Sequence, residues 1–394
     1  VAERFPHGTV VLLGLVTIAA YGTWNYAFGV LLDPILVDTG WPESWVAACF
    51  SASVALGAAL AMPAGRLIDR SGSRPAFLVA AAVSSIGLIT ASATDDLAVF
   101  ALGAVAGGAS LQAFAFYHIT QTTAARAAPD RPARAIALLT IYGAFSSTIY
   151  LPVAAALVSA AGWRVTLRIL VLSTASVLAA GAILVRERNR APGARAKPDF
   201  VAAFGSPAAR RFTMATGLIG LGVGIVLVYQ VPVMTDAGLA VGTAAWIAGA
   251  RGVAQVTGRV PLPWLLDRLG TRRAVRLAFA AITVGVTMLL FAGNMVIALV
   301  YVAIAGFGIG ATSPLQGIYA SELFDQAHLG ACMGVLTMVF GFAMSLGPTL
   351  VGVLADQTGD RWWGIVVASV AGLGAVVQMS RPLPADQVSS PEPA

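Results

Sequence analysis

Apolar residues run in blocks of roughly twenty, separated by short polar stretches, along most of the chain. A helix rises 1.5 Å per residue, so roughly 20 apolar residues cross the hydrocarbon layer of a bilayer. Twelve blocks fit: 9–32, 43–65, 76–94, 97–125, 134–160, 165–186, 211–235, 242–266, 274–293, 295–322, 331–355 and 362–380. The pattern predicts an all-α membrane protein of twelve spans. The longest polar stretch, 186–211, holds Arg186, Arg188, Arg190, Arg195, Lys197, Arg210 and Arg211 with Pro192 and Pro198, and divides the spans six and six. The expected units are 1–187, a cytoplasmic linker 188–210, 211–381, and a Pro- and Ser-rich tail 382–394 expected to be disordered.

Only 11% of the 394 residues are charged and 58% are hydrophobic. Soluble domains carry about 25% charged residues, so a soluble enzyme and a disordered chain are both excluded. The pI of about 9.7 could suggest a nucleic-acid partner. Placement gives a simpler account. With the N-terminus inside, nineteen of the twenty-four Lys and Arg residues fall in inner loops and tails, from Arg4 to Arg381. Three fall outside, Arg164, Arg168 and Arg361, while Asp33, Asp38, Glu43, Asp95, Asp96, Asp236, Asp356 and Asp360 cluster there. The positive-inside rule then sets a multi-pass topology with both termini cytoplasmic and with the bilayer, not nucleic acid, as partner; the expected location is the bacterial inner membrane. No cleavage site follows the short, weakly basic segment 1–7, so the first block reads as a retained span. Cys49 and Cys332 lie in apolar runs and read as small hydrophobes. No metal-ligand spacing, Ser–His–Asp set or Walker pattern appears, so no metal, cofactor, catalytic residue or enzymatic activity is expected.

The two remaining arginines, Arg251 and Arg259, lie inside the eighth block. A guanidinium at mid-bilayer costs a few kcal/mol, so Arg251 must face a watery cavity or a partner. No Asp or Glu lies in the middle of any block. Two readings follow: the neutralising anion is the substrate, whose carboxylate a guanidinium holds bidentately, or Arg251 is a structural arginine bonded to carbonyls; the first is the expectation. Gln255 and Arg259 follow four and eight residues on, near the same helix face. Arg259 reads equally as a second anion site or as a snorkelling residue. His118 is the one histidine inside a block and the candidate for proton coupling, although a neutral hydrogen-bonded histidine fits as well. Gly103, Gly107 and Gly108 read as close helix packing, and Gly347-Pro348 as a kink or packing point.

The halves repeat. Pro63, Asp69, Arg70, Gly72 and Arg74 match Pro261, Asp267, Arg268, Gly270 and Arg272 at an offset of 198. Gly65-Arg66-Leu67-Ile68 before Asp69 completes a segment that resembles the loop 2–3 signature of the major facilitator superfamily, and with the two six-span halves and the basic central loop the resemblance covers nearly the whole chain. The resemblance implies two pseudo-symmetric six-helix bundles around a cavity, working by rocking as a monomer. It implies that Gly65, Asp69, Arg70, Gly72, Arg74, Asp267, Arg268, Gly270 and Arg272 form gating loops, with Glu322, near Asp325 and His328, as a latch to the loop 8–9 arginines. It also implies that spans 1, 4, 7 and 10 line the cavity. Tyr21, Asn25, Gln112, Tyr117, Tyr229 and Gln316 there, with Tyr142 of span 5, are the candidate substrate contacts beside Arg251 and Gln255.

Within the superfamily, Tyr26-x-Phe28-Gly29-Val30, Gly40-Trp41 and Arg251 resemble bacterial members of the monocarboxylate transporter and oxalate:formate antiporter group. The group's animal members carry an aspartate where this chain has Ile247 and a lysine in span 1, and the oxalate exchanger has a base in span 11; this chain lacks all three. The expected function is secondary transport of a small organic monoanion, with protons as candidate coupling ion. The alternative is proton-coupled export of drug-like or metabolite compounds. It has against it the missing mid-span acids and a fifth span that offers only Gly143, Tyr150 and Pro152 in place of a glycine-rich antiporter pattern.

Overall fold

The computed structural model describes residues 5–185, 204–324 and 329–382. Arg4, Arg186, Arg188, Arg190, Arg195, Lys197, Asp325, His328, most of the linker and nearly all of the tail lie outside the described residues. Every regular element among the described residues is helical. Ten helices are long and apolar enough to cross a membrane. One of them, Pro132–Leu184, turns at Gly162 into two spans. Val241–Arg259 completes the twelve; its arginines and glycines keep it from registering by hydropathy alone.

We label the spans α1 His7–Thr39, α2 Glu43–Ser71, α3 Ser73–Ser92, α4 Leu97–Ala127, α5 132–161, α6 163–184 and α7 Pro207–Asp236. The rest are α8 Val241–Arg259, α9 Thr271–Phe291, α10 Met295–Leu323, α11 Leu329–Thr358 and α12 Trp362–Ser380. All backbone polar groups must pair internally in lipid, which is why these runs fold as helices.

The repeat is visible in the turns. The described residues with positive φ are six glycines, and they pair across the halves: Gly40 with Gly238, Gly72 with Gly270, Gly162 with Gly359. The left-handed region costs a Cβ-bearing residue energy, so glycine marks each corner. Asp96 and Asn294, again 198 apart, cap α4 and α10 through their side chains. The eighth block was expected to run to 266, but α8 stops at Arg259 and 262–269 forms a separate short helix. Pro261 and Pro263 remove two N–H donors in succession, whereas the lone Pro63 at the matching place stays inside α2.

Small residues set the packing within bundles. A Cβ on Gly103 would lie 2.4 Å from the Gly87 carbonyl oxygen, so α3 and α4 touch backbone to backbone, as the small-residue spacing predicts. Gly347 meets α7 in the same way, with a Cβ placed 2.8 Å from the Leu221 oxygen. Between bundles, α2 runs along α11 and α5 along α8. The second half of α1 packs on α7, whereas its first half packs within its own bundle. The bundles are therefore drawn together at the end carrying the acidic loops.

Candidate functional site

Glycines fix the surroundings of Arg251. A Cβ on Gly252 would sit 2.3 Å from the Ala144 oxygen, and Thr148 Oγ1 donates to the Gly249 carbonyl at 2.8 Å, so α8 lies directly on α5. On the other side a Cβ on Gly310 of α10 would sit 1.9 Å from the Gln255 oxygen. Arg251 is thereby held at the seam between bundles and is 2% exposed. No carboxylate pairs with it among the described residues, and its Nε makes no hydrogen bond. The Tyr301 hydroxyl lies beside it and donates to Gln230 Oε1 at 2.8 Å. Gln230 Nε2 is also unpaired. Orphan donors of this kind cost about 1–3 kcal/mol each, more when charged.

The facing wall comes from two interrupted helices. Gly22–Tyr26 is a π-helical segment within α1. In α4 the helix breaks at Phe116, where ψ is −179°. The break frees backbone groups, and side chains take them up. His118 Nε2 lies 2.8 Å from the Ala113 carbonyl oxygen, and because a carbonyl only accepts, Nε2 is the donor. The Tyr21 hydroxyl lies beside the Tyr117 N–H. The ring of Tyr21 stacks on Phe116 at 3.7 Å and lies 5.1 Å from Tyr117 and 6.5 Å from Tyr26. Tyr26 lies within electrostatic reach of both Arg251 and Arg259. Uninterrupted spans were expected here; both interruptions were not foreseen, and they place four rings together.

The other candidate residues are dispersed. Asn25 is buried with Oδ1 unpaired. Gln112 packs against Gly57 of α2, with Nε2 unpaired. Gln255 is buried one turn from Arg251. Tyr142 packs on Gly14 inside the first bundle. Tyr229 lies near the acidic end, donating to the Pro348 oxygen at 3.3 Å. Gln316 lines a small cavity inside the second bundle with Phe212, Phe279 and Thr312. Arg259 is half-buried and donates to the Thr140 oxygen of α5 at 3.0 Å and the Gly310 oxygen at 3.4 Å, joining the two bundles. Gln230 is a polar residue of a cavity-lining span, as Tyr229 is, whereas Tyr26 and Tyr301 were absent from the expected contacts; a lone Tyr in an apolar run carries little signal by itself.

At the acidic end, charges join the bundles. Arg361 reaches Asp33 at 2.6 Å and Glu43 at 2.8 Å across the seam, and Asp236 at 3.3 Å in its own bundle. Burial acts to lower the Arg361 pKa, but the Glu43 and Asp33 carboxylates outweigh it and hold the group above the usual arginine range. Asp356 accepts from the Glu43 and Ser44 N–H groups, each at 3.0 Å, and so caps α2 from the opposite bundle. The repeat shows where the two halves differ. Arg164 binds Asp38 at 3.0 Å, just as Arg361 binds Asp236, with the acids 198 apart and the arginines 197 apart. Asp33 and Glu43, however, correspond to Val231 and Val241. Two acids added to one half convert a bond within a bundle into a lock between bundles.

At the basic end the acids bond within their own bundles. Asp69 pairs with Arg126 of α4 at 2.6 Å, and Gly72 and Gly270 share a φ near +74° and +73°. Glu322 accepts from the hydroxyl of Thr271, the first residue of α9.

Twelve spans in two bundles, locked at one end and carrying buried polar groups at mid-seam, define a membrane transporter. The sequence model of the Major Facilitator Superfamily matches residues 12–230 and 212–394, and the chain belongs to that family. It is 26% identical over 349 residues to monocarboxylate transporter 13 of Rattus norvegicus, covering 85% of this chain and 79% of that one. It is 27% identical over 179 residues to a multidrug resistance protein B homolog of Mycobacterium tuberculosis, covering 45% of this chain and 33% of that one. The crystal structure of the nucleoside transporter NupG superposes with a TM-score of 0.76 at 12% identity, over 94% of this chain and 97% of that one, and supports the fold.

Proposed function

We propose that the protein moves a small organic anion, a monocarboxylate, across the bacterial cytoplasmic membrane, binding the carboxylate at Arg251. The observation that carries this reading is a guanidinium 2% exposed at the bundle seam with no carboxylate partner among the described residues. A bound carboxylate neutralises it and lets the seam close around a paired charge. The basic end faces the cytoplasm, the acidic end faces outward, and transport proceeds by rocking as a monomer. The Arg361 lock then marks a state closed to the outside. Export of cationic drugs meets the wrong charge at Arg251.

Uptake into proteoliposomes should follow this order: monocarboxylates enter, and their neutral amide analogues do not. Equal uptake of acid and amide would overturn the reading. His118 serves in this account as the cap of the α4 break. His118→Gln keeps an N–H donor toward Ala113 and should hold uptake within about twofold, with the same dependence on a pH gradient. Loss of that dependence would assign His118 to proton coupling.

A further inference from the structure

Across the seam from Arg251 lies a surface of a different kind. Tyr21, Phe116 and Tyr117 form a contiguous group of rings with centroid distances of 3.7 and 5.1 Å, and Tyr26 extends it toward the guanidinium. Tyr21, Tyr26 and Tyr117 each keep part of their surface open although they lie within the spans. Nothing in backbone regularity favours the arrangement. It depends on a π-helical turn in α1 and a full break in α4, and the hydroxyl of Tyr21 lies beside the Tyr117 N–H at that break. Interrupted helices at membrane depth are tolerated where they line a cavity or are buried in protein. The two walls are chemically unlike. The second bundle presents donors, Arg251 and the Tyr301–Gln230 pair, and the first presents aromatic faces and edges.

We infer that the site selects carboxylates whose body is a flat aromatic ring, with the carboxylate on Arg251 and the ring against Tyr21, Tyr26 and Tyr117. The inference rests on the assignment of Arg251 to the carboxylate. It goes further because Arg251 alone does not distinguish benzoate from propionate. Ring pairs prefer offset-stacked or edge-to-face contact, which a planar substrate satisfies and a puckered ring of equal size does not.

The test is a ligand series on the full chain in liposomes: benzoate, cyclohexanecarboxylate, propionate and benzamide. Benzoate should compete with the uptake of labelled propionate about tenfold better than cyclohexanecarboxylate, the advantage expected of one or two aromatic contacts. Tyr26→Leu and Tyr117→Leu should bring that ratio toward one, and Tyr117→Phe, which keeps the ring, should preserve it. Equal competition by benzoate and cyclohexanecarboxylate in the parent protein overturns the inference whatever the variants do. If carboxylates compete, require Arg251 and show no ring preference, the aromatic inference alone fails. If benzamide matches benzoate, or no carboxylate competes, the assignment of Arg251 fails with it.

Discussion

Arg251→Ala should lower carboxylate transport by about 100- to 10,000-fold while leaving the folded protein as stable as the parent, or more so. The first half follows from the strength of charge-assisted hydrogen bonds, about 1.5–3 kcal/mol each, two of which a guanidinium can offer in a fixed fork. The second follows from the free protein. A structural arginine repays its burial through partners, and removing it leaves those partners orphaned. Arg251 has the Tyr301 hydroxyl beside it but no carboxylate partner among the described residues and an unpaired Nε, so its removal relieves a burial that is only partly compensated. Arg251→Lys keeps the charge and loses the fork, and should retain more activity than alanine while remaining roughly tenfold or more below the parent. Uptake of a labelled monocarboxylate and thermal unfolding in detergent read the two halves separately. A sharply lowered unfolding temperature in Arg251→Ala would make the arginine structural, and unchanged uptake would remove it from the site.

Arg251 was legible in the sequence because a charge stands out in an apolar run, and the twelve blocks were legible because lipid admits few ways to satisfy a backbone. What surrounds Arg251 was not. Nothing at 116–117 is proline or glycine, so the α4 break has no local signature. It is held by Tyr21 from α1 and by His118 folding back on Ala113, contacts that exist only once the bundle is assembled. Tyr142, Tyr229 and Gln316 looked equivalent to Tyr21 and Tyr117 as polar residues in spans, yet helix rotation sends them to bundle interiors and the acidic end. The acidic loops read as topology signals alone. Repeat arithmetic applied beyond the loop motif would have exposed the lock: Asp38 and Arg164 have counterparts in Asp236 and Arg361, while Asp33 and Glu43 meet valines.

That asymmetry makes the lock separable from the fold, and so testable. Arg361→Gln should open the acidic end without unfolding either bundle, because the bonds it loses to Asp33 and Glu43 lie between bundles. The Arg361 side chain is 12% exposed and Glu43 10%, but Asp33 is 38% and Asp236 52%, so the network is only partly withdrawn from water. Its loss is accordingly set below that of a fully buried pair, at about 2–4 kcal/mol. That corresponds to a shift of roughly 30- to 1,000-fold in the balance between closed and open states. Spin labels on the exposed Val37→Cys and Gln357→Cys positions, one in each bundle, should report a longer distance in Arg361→Gln than in the parent. Arg164→Gln, which removes the repeat-related bond inside the first bundle, should leave that distance unchanged and instead lower thermal stability. Arg361→Glu combined with Glu43→Arg should recover part of the short distance, since the pair survives with its charges exchanged. An unaltered distance in Arg361→Gln would mean that the α2–α11 and α1–α7 packing holds the outer end shut by itself. The four carboxylates gathered there would then repel one another without the arginine and still not part the bundles, which the excess of negative charge argues against.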